Sequence, residues 1–328
     1  MVRPGRPRSR PEADSASAVP AACRGGPELG VFSAADLAIL AVSLIWGGTF
    51  VLVKEALNGV STLLFLALRF TAAAAVLTLF LGRRVLAEPG GIFQGWRGGA
   101  VASAFLFLGY ALQTAGLRLT TPSRSAFLTG LYIVLVPIFA CFVQQCRPQL
   151  REAGGVMLAM AGTVLLTAGG EAWPPSGLRW QTGDWLTLGC AAAFAMHILA
   201  VKRYSGAMSF ERLSLYQIGG VALLSWVLLL PAEEPRLVWS AGLAWALALT
   251  SILATAIAFL VYTWAQRRTT ATRAALMFAT EPVFAGLAGW KWAGDPWTAS
   301  SLAGAVLILS GILLVEMKPV AGNGHPDR

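Results

Sequence analysis

Charged side chains are scarce in this sequence. Lys, Arg, Asp and Glu make up 12% of the 328 residues and 56% are hydrophobic, whereas a soluble domain carries about 25% charged residues. So few charges cannot clothe a water-exposed surface of this size, which argues against a soluble globular domain. Cysteine is scarce as well. The four cysteines, Cys23, Cys141, Cys146 and Cys190, show no metal or redox spacing, and Cys141 and Cys146 read as unpaired thiols at a helix end. There is no glycine-rich phosphate loop, no His/Glu metal pattern and no paired acidic motif, so a hydrolytic site is poorly stocked. No metal and no cofactor is expected. The net charge of +9 could suggest nucleic acid, but in so apolar a chain it fits cytoplasmic loops.

What is present is a series of long apolar segments. A helix needs about 20 mostly apolar residues to cross a bilayer, and ten segments qualify: 36–56, 61–82, 98–117, 124–144, 152–169, 184–203, 213–230, 241–264, 273–292 and 299–316. They are rich in Leu, Ala, Val and Gly and lack the strict alternation of membrane barrel strands. Helices satisfy their own backbone hydrogen bonds in lipid, so the expected fold class is an all-α membrane protein with ten transmembrane helices. The partners are then the lipid bilayer and a small-molecule solute, not nucleic acid, and a homodimer is compatible with the sequence. Residues 1–33, rich in Pro, Arg, Ser and Gly, read as a disordered tail. Because the following apolar run is long enough to span, the start reads as tail plus first helix rather than as a cleaved signal.

Ten spans put both termini on one side. With that side in the cytoplasm, 18 Lys and Arg fall inside and 6 outside, with Arg69 in mid-span. The positive-inside rule therefore places both termini in the cytoplasm of a multi-pass protein of the cell (inner) membrane. Tryptophans near the span ends, among them Trp96, Trp180, Trp185, Trp239 and Trp290, suit interfacial belts.

The chain also repeats itself. "LTTPSRSAFLTGLYIVLVPIFA" at 119–140 is echoed by "RTTATRAALMFATEPVFAG" at 268–286. Asp36 matches Asp184 and Lys54 matches Lys202 at an offset of 148. Thr121 and Arg124 match Thr270 and Arg273, and Gly155 and Gly162 match Gly304 and Gly311, at 149. Pro137 and Pro282 differ by 145, so the second copy is shorter there. The expected organisation is a first five-helix repeat over 34–170, a second over 180–318, and a cytoplasmic tail over 319–328. Five is odd, so the second unit enters the membrane upside down. Such inverted repeats belong to secondary transporters, whose solute site lies near the midplane between the halves.

The phrases "LIWGGTFVLVKEAL", "ALRF", "LQTAGLRLTTPSRSAFLTGLYIVLVPIF", "ATEPVFAGLAG" and "LAGAVLILSGILLVE", in that order over about 34–318, resemble the EamA branch of the drug/metabolite transporter superfamily. The resemblance implies two inverted five-helix repeats and movement of a small metabolite without ATP hydrolysis. Where that family often has a Gly-Glu pair after the fourth and ninth spans, this chain has Arg147-Pro148 and Gly294-Asp295.

The candidate solute- or proton-binding residues are Glu281, Arg69, His197, Trp46, Gln113, Tyr132 and Tyr262. Glu281 is the one carboxylate well inside an apolar segment, where an ionisable group costs about 3 kcal/mol on insertion scales. It reads either as a proton carrier or amine-binding group, or as a structural carboxylate beside Pro282. Arg69, whose counterpart is Gln217, reads as a grip for a solute carboxylate or phosphate, or as a fixed partner to a carboxylate or helix C-terminus, or as a side chain snorkelling to the outer interface. The resemblance favours the structural readings, because the family carries this Arg across many presumed substrates. His197 is a proton carrier or a hydrogen-bonded core histidine. Trp46 beside Gly47 and Gly48 is a stacking platform or a packing residue. Gln113, Thr114, Thr129, Tyr132, Tyr262 and Thr263 could line a polar cavity, and Lys54 and Lys202 read as interface anchors. The expected function is secondary active transport of a small metabolite or drug-like solute, with the chain acting as an exporter coupled to the proton gradient. A membrane-embedded enzyme or a channel is the alternative.

Overall fold

The computed structural model describes residues 33–89, 91, 94–120, 122–143, 145, 148–168, 180–288, 290–291 and 298–316. Nearly all of the expected N-terminal tail, the whole of the C-terminal tail, Thr121, Arg147, Gly294, Asp295, Cys23 and Cys146 lie outside them.

The described chain is helical. The elements are α1 (Ala34–Ala56), α2 (Thr62–Ala87), α3 (Trp96–Leu119), α4 (Pro122–Gly130), α5 (Tyr132–Val143), α6 (Leu150–Ala168), α7 (Thr182–Tyr204) and α8 (Phe210–Ala232). There follow α9 (Ala241–Ser251), a π-helical turn (Ile252–Ile257), α10 (Ala258–Gln266), α11 (Ala271–Phe278), α12 (Glu281–Ala288) and α13 (Ala299–Glu316). One isolated antiparallel bridge, Val60 to Leu237, ties the α1–α2 turn to the α8–α9 loop.

Among the described residues, seven helices are long and apolar enough to cross a membrane: α1, α2, α3, α4–α5 over Arg124–Val143, α7, α8, and α9–α10 over Ala241–Gln266. This is fewer than the ten segments that hydropathy marks. The segments at 152–169 and 299–316 form α6 and α13, and the one at 273–292 is split into α11 and α12. The chain is nonetheless a multi-pass membrane protein.

Helix starts are written in polar residues. Ser33 caps α1, accepting from the Asp36 backbone N (3.2 Å), while the Asp36 carboxylate accepts from Ser33 N (2.8 Å). In the second half Gln181 N donates to Asp184 Oδ2 (2.8 Å) at the start of α7. Ser209, Ser240 and Thr270 cap α8, α9 and α11.

Packing pairs matching elements of the two halves. α2 lies against α8, and α6 against α13. The ends show how they run. Glu88, just past α2, reaches the start of α8, accepting from Ser209 Oγ (2.5 Å) and pairing with Arg212 Nε (3.2 Å). Glu233, just past α8, accepts from the backbone N of Leu63 (2.6 Å) and Leu64 (3.1 Å) at the start of α2. The two helices are therefore antiparallel. α6 and α13 are antiparallel too, because Gly155 faces Gly311 and Gly162 faces Gly304. A methyl on Gly155 or Gly162 would sit 2.6 Å from the opposite carbonyl, which is why only small residues serve at this close crossing. The remaining contacts trade places in the same way. α1 packs on α10, α11 and α12, and α7 packs on α3, α4 and α5.

Ion pairs follow the same crossing. The repeat aligns Asp36 with Asp184 and Arg124 with Arg273; the fold pairs Arg273 with Asp36 (2.8 Å) and Arg124 with Asp184 (2.6 Å). Each ties the first helix of one half to the broken helix of the other.

Candidate functional site

Three interruptions of the helices build the site. α4 ends at Gly130 and α5 begins at Tyr132; α11 ends at Phe278 and α12 begins at Glu281. Pro282 has no N–H and its ring excludes the carbonyl of Phe278, so α11 cannot run on into α12. Tyr132 and Glu281 are 149 residues apart, the same offset as Arg124 and Arg273. They are matching residues at matching breaks. Pro137 lies five residues into α5 and Pro282 one residue into α12, so the two prolines occupy different places in the matching helices, which accounts for their offset of 145. The third interruption is the π turn between α9 and α10, of the kind that often marks functional sites.

At the meeting of the two breaks the Tyr132 hydroxyl donates to Glu281 Oε2 (3.2 Å). Glu281 makes no other side-chain hydrogen bond among the described residues. Arg69, 3% exposed, donates from Nε to Thr255 Oγ1 (2.7 Å), and Thr255 donates to Thr250 O (2.8 Å). The guanidinium thus closes the opened π turn, and it also lies 4.9 Å from the Tyr110 ring centroid. The Trp46 indole N–H donates to Ala254 O (2.9 Å) in the same turn. His197 meets Gln217, Nε2 to Oε1, at 2.8 Å, and Gln217 Nε2 donates to Thr263 Oγ1 (2.8 Å). Because the amide nitrogen is spent on Thr263, its oxygen accepts and His197 Nε2 is the donor.

All seven candidate residues, Trp46, Arg69, Gln113, Tyr132, His197, Tyr262 and Glu281, line one cavity between the halves, together with Thr114 and Thr129. The cavity volume is about 70 Å³, which at ~10–15 Å³ per water leaves room for about five waters. Its wall is aromatic. Trp46 stacks on Phe278 at 5.2 Å and lies 5.2 Å from Phe259; Tyr262 is 5.5 Å from Phe278, and Phe194 is 5.3 Å from Tyr110. The Tyr262 hydroxyl has no hydrogen-bond partner among the described residues. Glu281 and Arg69 share the cavity without pairing. The ion pairs among the described residues are Arg124–Asp184, Arg212–Glu88 and Arg273–Asp36.

Sequence reasoning missed Phe50, Tyr110, Phe194, Phe259 and Phe278, because in helices apolar all round nothing marks one aromatic as facing inward. Thr263 lies behind the wall, holding Gln217. Lys54 donates to the carbonyls of Leu117 (2.5 Å), Arg118 (3.2 Å) and Thr120 (3.0 Å), capping the end of α3, and Lys202 is buried. Cys141 and Cys190 are free thiols.

Two stretches, residues 33–168 and 181–317, each match the EamA-like transporter family. The chain belongs to that family. A protein of Archaeoglobus fulgidus described as an uncharacterized transporter is 30% identical over 87% of this chain and 86% of its own length. The aromatic amino acid exporter YddG of Ancylobacter novellus is 26% identical over 71% of this chain and 78% of its own. One solved protein structure shares the fold, with a TM-score of 0.69 and 22% identity over 86% of this chain and 96% of that one.

Proposed function

We propose that this EamA-family protein is a secondary active transporter that exports a small metabolite across the cell membrane in exchange for protons. In this reading it has ten spans as two inverted five-helix repeats, 34–170 and 180–318, with both termini in the cytoplasm. The reading is supported by the antiparallel pairing of α2 with α8 and of α6 with α13, by the crosswise ion pairs, and by the excess of positive charge on one side. The relative named as an amino acid exporter supports an organic metabolite as cargo.

The observation that carries the proposal is Glu281: a buried carboxylate at a helix break, in a cavity shared by both halves, with a tyrosine hydroxyl as its side-chain partner. Discontinuous helices at midplane sites are where carriers hold their substrates and coupling ions. One carboxylate binds a proton or a solute cation, not both together, so occupation by one releases the other. The other titratable groups around the cavity are Tyr110, Tyr132, Tyr262, Cys190, His197 and Arg69. His197 is tied to Gln217, the phenols stay protonated near neutral pH, and the guanidinium stays charged.

Metabolite profiles of cells with and without the protein identify the solute, and counterflow in proteoliposomes tests the mechanism. The wild type is expected to show saturable exchange driven by a pH gradient, and Glu281→Gln to insert normally and lose that dependence. Full proton-coupled exchange in Glu281→Gln overturns the role of Glu281, and unsaturable flux in the wild type overturns the carrier.

A further inference from the structure

The ends of α3 and α10 are matching places in the two halves, yet they are fastened differently. At the end of α3, Lys54 of α1 donates to the carbonyls of Leu117 (2.5 Å), Arg118 (3.2 Å) and Thr120 (3.0 Å). Arg118 answers in the other direction, donating from Nε to Thr62 Oγ1 (2.8 Å) and from Nη2 to Val60 O beside the α1–α2 turn. An ammonium has three donors, and the last carbonyls of a helix have no partner within it, so the clasp satisfies both sides. The repeat sets Lys202 in the place of Lys54 and, at an offset of 149, Arg267 in the place of Arg118. Neither of these side chains bonds an acceptor among the described residues. The inequality recurs beside them. Thr120 Oγ1 donates to Asp184 Oδ1 (3.5 Å), whereas the matching Thr269 Oγ1 and Asp36 Oδ1 are both buried without a partner among the described residues.

We propose that Lys54 and Arg118 are the latch of the outer mouth, and that Lys202 and Arg267 close the equivalent latch at the cytoplasmic mouth when the outer one opens. The inference rests on the carrier reading for the two sides and for the alternation between them; the made and unmade clasps stand without it.

The clasp is placed to act as a latch. Val53 and Leu117, next to Lys54 and Arg118 in the chain, line the cavity, so the clasp joins two helices that flank one end of it. The corner it grips is fixed. Glu233 and Arg236 of the other half hold the α1–α2 turn, through the backbone N of Leu63 and the carbonyl of Asn58. The matching α7–α8 corner is held as well, by Glu88 on Ser209. Both ends of the cavity carry an ion pair, Arg124–Asp184 at one and Arg273–Asp36 at the other. The clasp is what differs. It can also be undone. Arg118 is exposed and Lys54 half-buried, so water replaces their partners on release, and an exposed ionic contact costs little to break. Arg212, wholly buried on Glu88, is by contrast a fixed tie. Halves packed upside down exchange conformations when a carrier turns over, so the half with its clasp made becomes the half without. The acceptors for the second clasp are in place: the carbonyls of Gln266, Arg267 and Thr269 match the three that Lys54 holds.

The test is the distance between two spin labels across each mouth, read by electron paramagnetic resonance on the full-length protein in lipid nanodiscs, in a background without native cysteines. Glu55→Cys with Leu119→Cys spans the outer clasp, and the matching Arg203→Cys with Arg268→Cys spans the cytoplasmic one; all four positions are exposed. Lys54→Gln is expected to raise the ratio of long to short distances in the outer pair about tenfold, as the loss of a hydrogen-bonded charge implies, and to shorten the cytoplasmic pair. Adding Lys202→Gln should abolish that shortening and leave the outer pair open. Because Lys54 also caps α3, Arg118→Gln is the second variant: it leaves the cap in place and should shift both pairs the same way. An outer pair unmoved in folded Lys54→Gln and Arg118→Gln, or one that opens while the cytoplasmic pair stays as it was, overturns the proposal. Failure of the carrier reading looks different. The two pairs then exchange as expected, but no metabolite shows counterflow. Saturable counterflow left unchanged by both Lys54→Gln and Lys202→Gln leaves the carrier standing and sinks the latch.

Discussion

Gly47 and Gly48 are neighbours in α1 with opposite surroundings. A methyl at Gly47 would sit 2.6 Å from the Glu281 carbonyl oxygen and 3.0 Å from the Ala285 backbone N; at Gly48 nothing lies within 4 Å. Gly47 lets α1 lie against the break that presents Glu281, while Gly48 gives only conformational freedom. Gly47→Ala is expected to cost about 1–3 kcal/mol through overpacking and to weaken solute binding. Gly48→Ala is expected to be neutral or to stabilise by about 0.5–1 kcal/mol, as alanine does in a helix interior. Thermal unfolding in detergent checks both, and equal losses would show that α1 does not depend on this close approach. The two glycines are adjacent in sequence and read alike there. Only the position of α12 separates them.

At the scale of elements, the π turn is the feature hydropathy could not reveal. The segment 241–264 reads as one uniform apolar helix, yet Ile252–Ile257 widens within it. Arg69 and Trp46 reach in from α2 and α1 to serve the groups this widening exposes. Arg69 thus has a threonine hydroxyl as its hydrogen-bond partner, where the sequence suggested a carboxylate or a helix C-terminus, and also a place on the cavity wall. Thr255 is the hinge of that arrangement. Thr255→Val removes the acceptor for Arg69 Nε and the donor to Thr250 O, leaving a charged donor unsatisfied at a cost of about 1–3 kcal/mol. The expected outcome is a lower melting temperature and slower solute exchange in proteoliposomes, with Thr255→Ser restoring both because it keeps the hydroxyl. Unchanged exchange in Thr255→Val would mean that the guanidinium is positioned by other contacts.

For the whole molecule the proposal to test is the opposite orientation of the two halves in the membrane. Leu119 and Arg268 occupy matching places in the two copies and are both exposed. In a background without native cysteines, Leu119→Cys is expected to react with an impermeant maleimide on intact cells, and Arg268→Cys only after the membrane is opened. Labelling of both from the same side would refute the inverted arrangement. The same arrangement explains the crosswise pairs Asp36–Arg273 and Asp184–Arg124: residues aligned by the repeat meet not their own half's partner but the other's.

The sequence by itself determined the membrane setting, the two repeats and the polar groups worth watching. Scarce charge, offsets of 148 and 149, and the single carboxylate in an apolar run are properties of the linear chain. It did not determine which face of any helix looks inward, because helices apolar on every side carry no moment to read. Nor did it reveal the broken helices as a matched pair. The chain aligns its two prolines at an offset of 145, whereas the breaks align at 149. Tertiary structure decided that Tyr132 and Glu281 meet, that five further aromatics, Phe50 among them, line the wall, and that Glu281 and Arg69 share a cavity unpaired. These are distances between elements far apart in sequence, and they are set by how the two halves pack against each other.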